Sequence, residues 1–421
     1  MKKIAIALAV VALFINNCEA KKVKPKKSVA LRELIEKKIK KNRPSKAEEF
    51  VSAEQAIVID CDTGDCLYEK NADEQCAPSS LTKLMTLYIL FEEIAAGRIK
   101  LDDEFPISEA AQKIKGSKSF FQAGTTAKIE DLIRSAIVHS GNDACVVIAE
   151  GISGDCETFA ERMEAKVQEF GLKNTRFTNP TGMPDEEHYS CVRDIAMISR
   201  RIILDFPQFY HYFSEKTFTI NSITQQNRNT LLGNALKIDG LKTGKTEAGG
   251  YGVSASAQNN GKRLIAVVNG CKSAKARAID ANKLLAAAFK GFVQIKIAEA
   301  GKPIAEAAVC MGEKNSVGLC SHEDITVSVF RKYRDRLKIE AKFKQPLEAP
   351  TILGAKYGTL VYKYGNFKSK TYDLFACEPV ARVGILKRIQ ILLKRVISGD
   401  FSNLGGCPKD GETVVNIEIA Q

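Results

Sequence analysis

The sequence predicts an α+β fold: an antiparallel sheet flanked by helices, followed by a smaller all-β domain and a C-terminal amphipathic helix. Three observations carry this. Strand-like runs at Gln55–Asp60 and, much later, at Gly250–Ala257 and Arg263–Asn269 enclose a long stretch of helical periodicity, so one sheet takes its strands from both ends of a domain. After Val293 the apolar runs shorten, as in Ile325–Phe330, Leu337–Phe343 and Thr359–Tyr364, with Gly and Pro between them, the pattern of an all-β unit. From Ile385 to Ile397 apolar residues recur at helical spacing with Lys and Arg mostly opposite.

At 421 residues, 45% of them hydrophobic, the chain suits two or three globular domains. Met1-Lys2-Lys3, the apolar run Ile4–Ile15 and a small-residue end near Ala20 follow the order of a secretory signal, so residues 1–20 are expected to be a cleaved signal peptide. The run is shorter than the ~20 apolar residues that a permanent span needs. The alternative, a lipoprotein anchored at Cys18, lacks the small-residue pair before the cysteine, where Asn16 and Asn17 stand. Export places the chain in the periplasm or on the outer face of the cytoplasmic membrane. Residues 21–48 form a basic spacer; within its Lys21–Lys46 stretch twelve Lys or Arg meet only Glu33 and Glu36, so most of the formal charge of +12 sits there. An exported chain rarely meets nucleic acid, which is therefore not an expected partner; anionic headgroups, the acidic wall or solvent alone are.

Removing Cys18 with the signal reduces the twelve cysteines to an odd number. There is no C-x-x-C and there are only four histidines, so no metal is expected. The spacing allows Cys61–Cys66 or Cys310–Cys320 bridges, but buried free thiols account for these cysteines equally well, and no disulfide is assigned.

Along the chain, Gln55–Asp60, the turn Asp62–Asp65 and Cys66–Glu69 make a hairpin. Pro78 and Ser79 start a helix on which Leu81, Leu84, Met85, Tyr88 and Ile89 share a face. Helical segments follow between Leu101 and Phe170, including Ile129–Val138 and Ala144–Ile152, broken at Gly124 and Gly141. Thr217–Ile220 reads as a further strand and Ala276–Phe292 as a long helix. The expected domains are 49–292, 293–382, the amphipathic helix 383–400, and a tail 401–421 without an assigned role, whose Thr413–Ile419 run could add a strand.

Within the first helix, Ser80 and Lys83 stand one turn apart and share a face. A serine hydroxyl needs a base to become a nucleophile, and a desolvated lysine amine can be that base. Alone, the pair reads better as a helix cap and a surface charge. Two further elements change this: Ser140-Gly141-Asn142 and Lys242-Thr243-Gly244 each occur once, after the serine, in the order of the active-site set of penicillin-binding proteins and class A β-lactamases.

With I-D-x-x-T-G at Ile59–Gly64, A-P-S-S-L-T-K-L-M-T at Ala77–Thr86, F-G-L-K-N-T-R-F-T-N-P-T-G-M at Phe170–Met183 and D-G-L-K-T-G-K-T-E-A-G-G-Y at Asp239–Tyr251, the chain resembles the low-molecular-mass penicillin-binding proteins, serine D-alanyl-D-alanine carboxypeptidases. The resemblance covers roughly residues 54–397 and implies a serine β-lactamase/DD-peptidase-like domain over 49–292. It implies that Ser80 attacks the bond between the two terminal D-alanines of a peptidoglycan stem peptide, with Lys83 as base. Ser140 relays a proton to the leaving amine, Asn142 holds Lys83 and the substrate amide, and Lys242 and Thr243 grip the terminal carboxylate. Gly244 lets the substrate lie against its strand, and the backbone N–H groups of Ser80 and Lys245 form the oxyanion hole. β-Lactams would trap the same serine, and no cofactor is implied.

Two other readings stand beside it: a D,D-endopeptidase cutting cross-links with the same groups, and a catalytically silent wall-binding scaffold. Lys245 replaces the His common after K-T-G in close relatives, and Gly249 stands where Ala is frequent. No E-x-x-x-N segment lies between Asn142 and Lys242, which argues against efficient antibiotic hydrolysis. His139 reads as a packing residue and His188 receives no role. Phe120, Phe121 and Tyr251 are candidates for the cleft wall. The helix over 383–400 is expected to lie on a membrane surface as an anchor, with packing on the β-domain as the other possibility.

Overall fold

The computed structural model of the chain describes residues 50–363, 370–397, 407 and 411–417. The expected signal peptide, the basic spacer and most of the tail lie outside these residues.

β1 (Gln55–Asp60) is buried along its whole length. Its turn is set by Asp60, whose Oδ1 accepts from the N–H groups of Asp62 and Thr63, and by Gly64 at φ +67°. β2 (Cys66–Lys70) returns antiparallel. β3 (Ile238–Thr246), β4 (Gly250–Asn259) and β5 (Lys262–Cys271) complete a five-stranded antiparallel sheet in the order β2-β1-β5-β4-β3. The two ends of the domain therefore meet at β1 and β5, and β3 is left as an edge. Thr217–Ile220 differs from expectation: it pairs with Ile223–Gln226 in a separate hairpin.

α1 (Lys83–Ala95) runs through the core, with Leu84, Leu87, Leu90 and Phe91 fully buried. α2 (Asn142–Ser153) follows a helix, Ile129–Arg134, that passes into a π-helical turn Ser135–His139. α3 (Cys156–Glu169) is capped by the Asp155 carboxylate, α4 (Val192–Asp205) by the Cys191 thiol and α5 (Ala274–Gly291) by the Ser273 hydroxyl. α5 ends one residue before the sequence reading, because Phe292 opens the next strand. Ile57, Ile59, Ile265 and Val267 join the core shared with α1 and α4. Strand alternation turns Ala56, Val58, Leu264 and Ala266 to the other face, where α5 packs on β4 and β5.

The second domain contains β6 (Phe292–Ala298), β7 (Ala305–Cys310), β8 (Ser316–Cys320), β9 (Ile325–Phe330), β10 (Lys338–Gln345), β11 (Leu347–Glu348), β12 (Lys356–Lys363) and β13 (Lys370–Ala376). β6 pairs with β9; the others form a seven-stranded sheet in the order β11-β7-β8-β13-β12-β10-β14, the last strand being β14 (Gly411–Ile417) from the tail. This domain grips the β1–β2 turn. Asp65 accepts from the Ser328 N–H at 2.8 Å and the Tyr362 hydroxyl at 2.7 Å, and pairs with Lys370. Asp60 accepts from Ser328 Oγ at 2.6 Å and Gln294 Nε2 at 3.1 Å.

α6 (Ile385–Ile397) leaves Ile385, Leu386, Ile389, Leu393 and Ile397 exposed. No helix among the described residues is long and apolar enough to cross a membrane. The absence of an assigned disulfide is corrected: Cys310 is bonded to Cys407, with their Cα atoms 5.7 Å apart. The candidate partners Cys61, Cys66 and Cys320 are free thiols. The chain therefore leaves the β-domain at α6 and is fixed to it again at Cys407 and β14.

Candidate active site

Ser80 lies in a 3-10 turn, Ser79–Thr82, and the α-helix proper begins at Lys83. Ser79 adopts φ +53°, which only tight packing sustains in a non-glycine residue. Two glycines supply that packing. A Cβ on Gly182, itself at φ +79°, would sit 1.8 Å from the Ser79 carbonyl oxygen. One on Gly244 would sit 3.1 Å from Ser79 Cβ and 3.2 Å from the Pro78 oxygen. Gly244 thus makes room for the Ser79–Thr82 turn that carries Ser80. Gly249 is explained in the same way, since a Cβ there would meet the Ala77 oxygen at 2.6 Å.

Lys83 is fully buried and spends its three N–H donors on Ser80 Oγ at 2.9 Å, Asn142 Oδ1 at 2.8 Å and the Thr181 carbonyl. Burial pulls its pKa down to about 8. Asn142 is itself pinned, its Nδ2 donating to the Lys115 oxygen at 2.7 Å. Ser140 ends the π-helical turn in the left-handed region, φ +59°, and its Oγ accepts from Lys242 Nζ at 2.8 Å. Burial, with Lys83 and Arg228 nearby, holds the Lys242 amine well below the usual lysine value. Lys242, Thr243 and Gly244 lie on edge strand β3, with Lys242 opposite Ser254 and Gly244 opposite Gly252 on β4. Thr243 is buried, whereas Lys245 is exposed with its amine 5.0 Å from the centre of the Tyr251 ring. The structure thus brings together two hydrogen-bonded sets, Ser80–Lys83–Asn142 and Ser140–Lys242, from three separate segments, with Lys83 close enough to Lys242 to act on its charge and Thr243, Gly244 and Lys245 on the adjoining edge.

Two arginines that sequence reasoning missed complete the charge distribution. Arg277 on α5 donates to the carbonyls of Gly244 at 3.1 Å, Gly252 at 3.3 Å and Arg228 at 3.2 Å; Arg228 reaches Ser117 Oγ. Burial lowers the pKa of both. The carboxylate facing Lys83, Asp143, is engaged by the backbone N–H groups of Ser119 and Phe120, which shapes the loop beside the cleft. The site is therefore rich in positive charge. It suits an anionic ligand.

His139 is buried between Ser119 Oγ at 2.8 Å and the Phe218 carbonyl at 3.0 Å. Phe121 belongs to the core, while Phe120 is exposed at φ +63°. Thr181, Gly182 and His188 also went unassigned in sequence. The run T-N-P-T-G-M at Thr178–Met183 was visible as a motif, but what it touches was not.

The family model for D-alanyl-D-alanine carboxypeptidases matches residues 40–273, more than half of the chain. The chain belongs to the D-alanyl-D-alanine carboxypeptidase family. A second model, the C-terminal domain of penicillin-binding protein 5, matches residues 292–382. Among carboxypeptidase relatives, DacA of Haemophilus influenzae is 38% identical over 358 residues, 84% of this chain and 91% of that protein. DacF of Bacillus subtilis is 34% identical over 359 residues, 83% and 90% respectively. The crystal structure of penicillin binding protein 5 from Haemophilus influenzae superposes with a TM-score of 0.73 at 37% identity, over 81% of this chain and 99% of the other. The carboxypeptidase fold, its helical insertion and its β-domain are thus all present here.

Proposed function

We propose that this carboxypeptidase removes the terminal D-alanine of peptidoglycan stem pentapeptides through an acyl-enzyme on Ser80. The observation that carries the assignment is the 2.9 Å contact between Ser80 Oγ and a Lys83 amine that burial holds at about 8. In its free-amine form Lys83 takes the Ser80 proton as Oγ attacks the carbonyl of the penultimate D-alanine. The C–N bond then breaks as the proton that Lys83 took passes through the Ser140 hydroxyl, which Lys242 orients, to the leaving amine, and Lys83 returns to its free-amine form. Water attacks the ester with Lys83 again as base, which releases the shortened peptide and restores Ser80.

The N–H groups of Ser80 and Lys245 face the developing oxyanion, one such donor typically contributing ~3–4 kcal/mol. Lys242 and Thr243 receive the terminal carboxylate, with Arg228 and Arg277 adding positive field. Asn142 fixes Lys83 and meets the substrate amide. A β-lactam presents a carboxylate and a strained amide to the same groups and acylates the same serine.

The domain reading completes the proposal: a signal peptide over 1–20, a basic spacer over 21–48, a catalytic domain over 49–292, a β-domain over 293–382 and an anchor over 383–400. The exposed apolar residues of α6, with Lys387, Arg388, Lys394 and Arg395 in its sequence, support an interfacial helix on an anionic membrane outside the cytoplasm.

The test is D-alanine release from a stem pentapeptide ending in D-Ala-D-Ala by the chain from Lys21 onward, with Ser80→Ala as control and a cross-linked dimer as second substrate. Release by the wild type alone is expected. Cleavage of the dimer alone would favour the endopeptidase, and inertness toward both the silent scaffold.

A further inference from the structure

His188 is 6% exposed, and no step above uses it. Its Nδ1 lies 3.0 Å from the backbone nitrogen of Thr178, a group that only donates, so Nδ1 is the unprotonated, accepting nitrogen. The proton therefore sits on Nε2, which donates to Thr82 Oγ1 at 2.8 Å. The ring is a bridge of fixed polarity between the Thr178–Met183 loop and the turn that carries Ser80.

Both ends of that bridge matter to the base. On the loop side, Asn179 Oδ1 accepts from Thr181 N, Thr181 Oγ1, Gly182 N and Met183 N. That fold presents the Thr181 carbonyl to Lys83 Nζ and seats Gly182 against the Ser79 carbonyl. On the turn side, Thr82 is fully buried and immediately precedes Lys83.

We propose that His188 is a positioning residue for the Ser80–Lys83 pair: as the neutral Nε2–H tautomer it sets the spacing between the Thr178–Met183 loop and the Ser79–Thr82 turn, and so holds the Thr181 carbonyl on Lys83 Nζ. The proposal rests on the reading of Lys83 as the base. A charged ring breaks the bridge, because an Nδ1–H would then confront the Thr178 N–H. Burial keeps the ring neutral, its pKa about 4; of the charges facing it, Asp185 favours protonation and Lys83 opposes it.

The experiment has two arms on the chain from Lys21 onward. Nitrogen-15 NMR of histidine-labelled wild type, assigned with His188→Gln, is expected to show a His188 ring protonated on Nε2 alone at pH 6. A charged ring or an Nδ1–H tautomer overturns the proposal whatever the variants do. The second arm follows acylation by a fluorescent penicillin from pH 5 to 10. In His188→Leu and in Thr82→Val the plateau rate is expected to fall about tenfold or more. Its midpoint is expected to move below that of the wild type, because the displaced carbonyl no longer stabilises the Lys83 ammonium. Gln at 188 keeps a donor toward Thr82 and an acceptor toward Thr178, and restores both.

A purely structural role would lower the melting temperature and leave rate and midpoint alone; that result in either folded variant refutes the proposal. If His188→Leu does not fold, Thr82→Val and the NMR arm decide. A wild-type profile without a rise through about pH 8 would instead refute the base reading, on which the kinetic arm depends.

Discussion

Lys242 Nζ and Ser140 Oγ lie 2.8 Å apart, and this contact joins the edge of the sheet to the helical insertion across the cleft. Lys242→Met removes the donor that orients Ser140 and the nearest charge for a substrate carboxylate. D-alanine release and penicillin acylation are both expected to fall ~10²–10³-fold, as for loss of one preorganised donor. Steady-state kinetics with the pentapeptide measures this, and a loss confined to KM would assign Lys242 to ground-state binding alone.

The pH dependence follows from Lys83. With its free amine as the proposed base, acylation should rise about tenfold per pH unit below the folded pKa of about 8 and level off above it. Stability runs in the same direction. The unfolded lysine titrates near 10.5 and the folded one near 8, so the unfolded chain binds more protons in this window. The cost of burying the ammonium is present in full below about pH 8 and is relieved as the pH rises to 10.5. Chemical denaturation of wild type and Lys83→Met at pH 7 and pH 9.5 isolates this contribution, which should favour the wild type more at the higher pH.

Gly182 and Gly244 should fail differently. Gly182→Ala forces a side chain into a left-handed residue and against the Ser79 backbone, so a loss of more than ~2 kcal/mol of stability is expected, with activity abolished. At Gly244 the contact is a snug 3.1 Å, so Gly244→Ala should fold, with a melting temperature near that of the wild type and much slower acylation. Thermal melts paired with penicillin labelling separate the two.

The Cys310–Cys407 bond closes a loop across 97 positions, so Cys407→Ser should cost the β-domain ~2–5 kcal/mol. Pentapeptide hydrolysis at 25 °C should be unchanged, since the bond lies outside the catalytic domain. Calorimetry with and without reductant, alongside the hydrolysis assay, checks both parts.

What sequence made legible was local. Ser80 and Lys83 stand three positions apart and Ser140 and Asn142 two, so each pair is held by a short spacing, and it is their order together with Lys242-Thr243-Gly244 that announces them. Arg228, Thr181 and His188 act through contacts made far along the chain: Lys83 reaches the Thr181 carbonyl across 98 residues and Thr82 reaches His188 across 106. Strand β3 was implied by the resemblance alone, because Asp239, Gly240, Lys242, Gly244 and Lys245 carry little strand propensity and pairing with β4 decides their state. Cys407 could not be matched from sequence, since eleven thiols admit many pairings and spacing selects none. The tail strand was foreseen only as a run, Thr413–Ile419; its pairing with β10 is tertiary.

The central claim is that Ser80 is the nucleophile and Lys83 its base. Its most direct test is the intact mass and peptide map of the chain from Lys21 onward after brief exposure to benzylpenicillin at pH 8, with Lys83→Met in parallel. A single adduct mapping to Ser80 in the wild type, formed at least ~10²-fold more slowly in Lys83→Met, is the predicted result. An adduct on another residue, or equal rates in both proteins, would contradict the account.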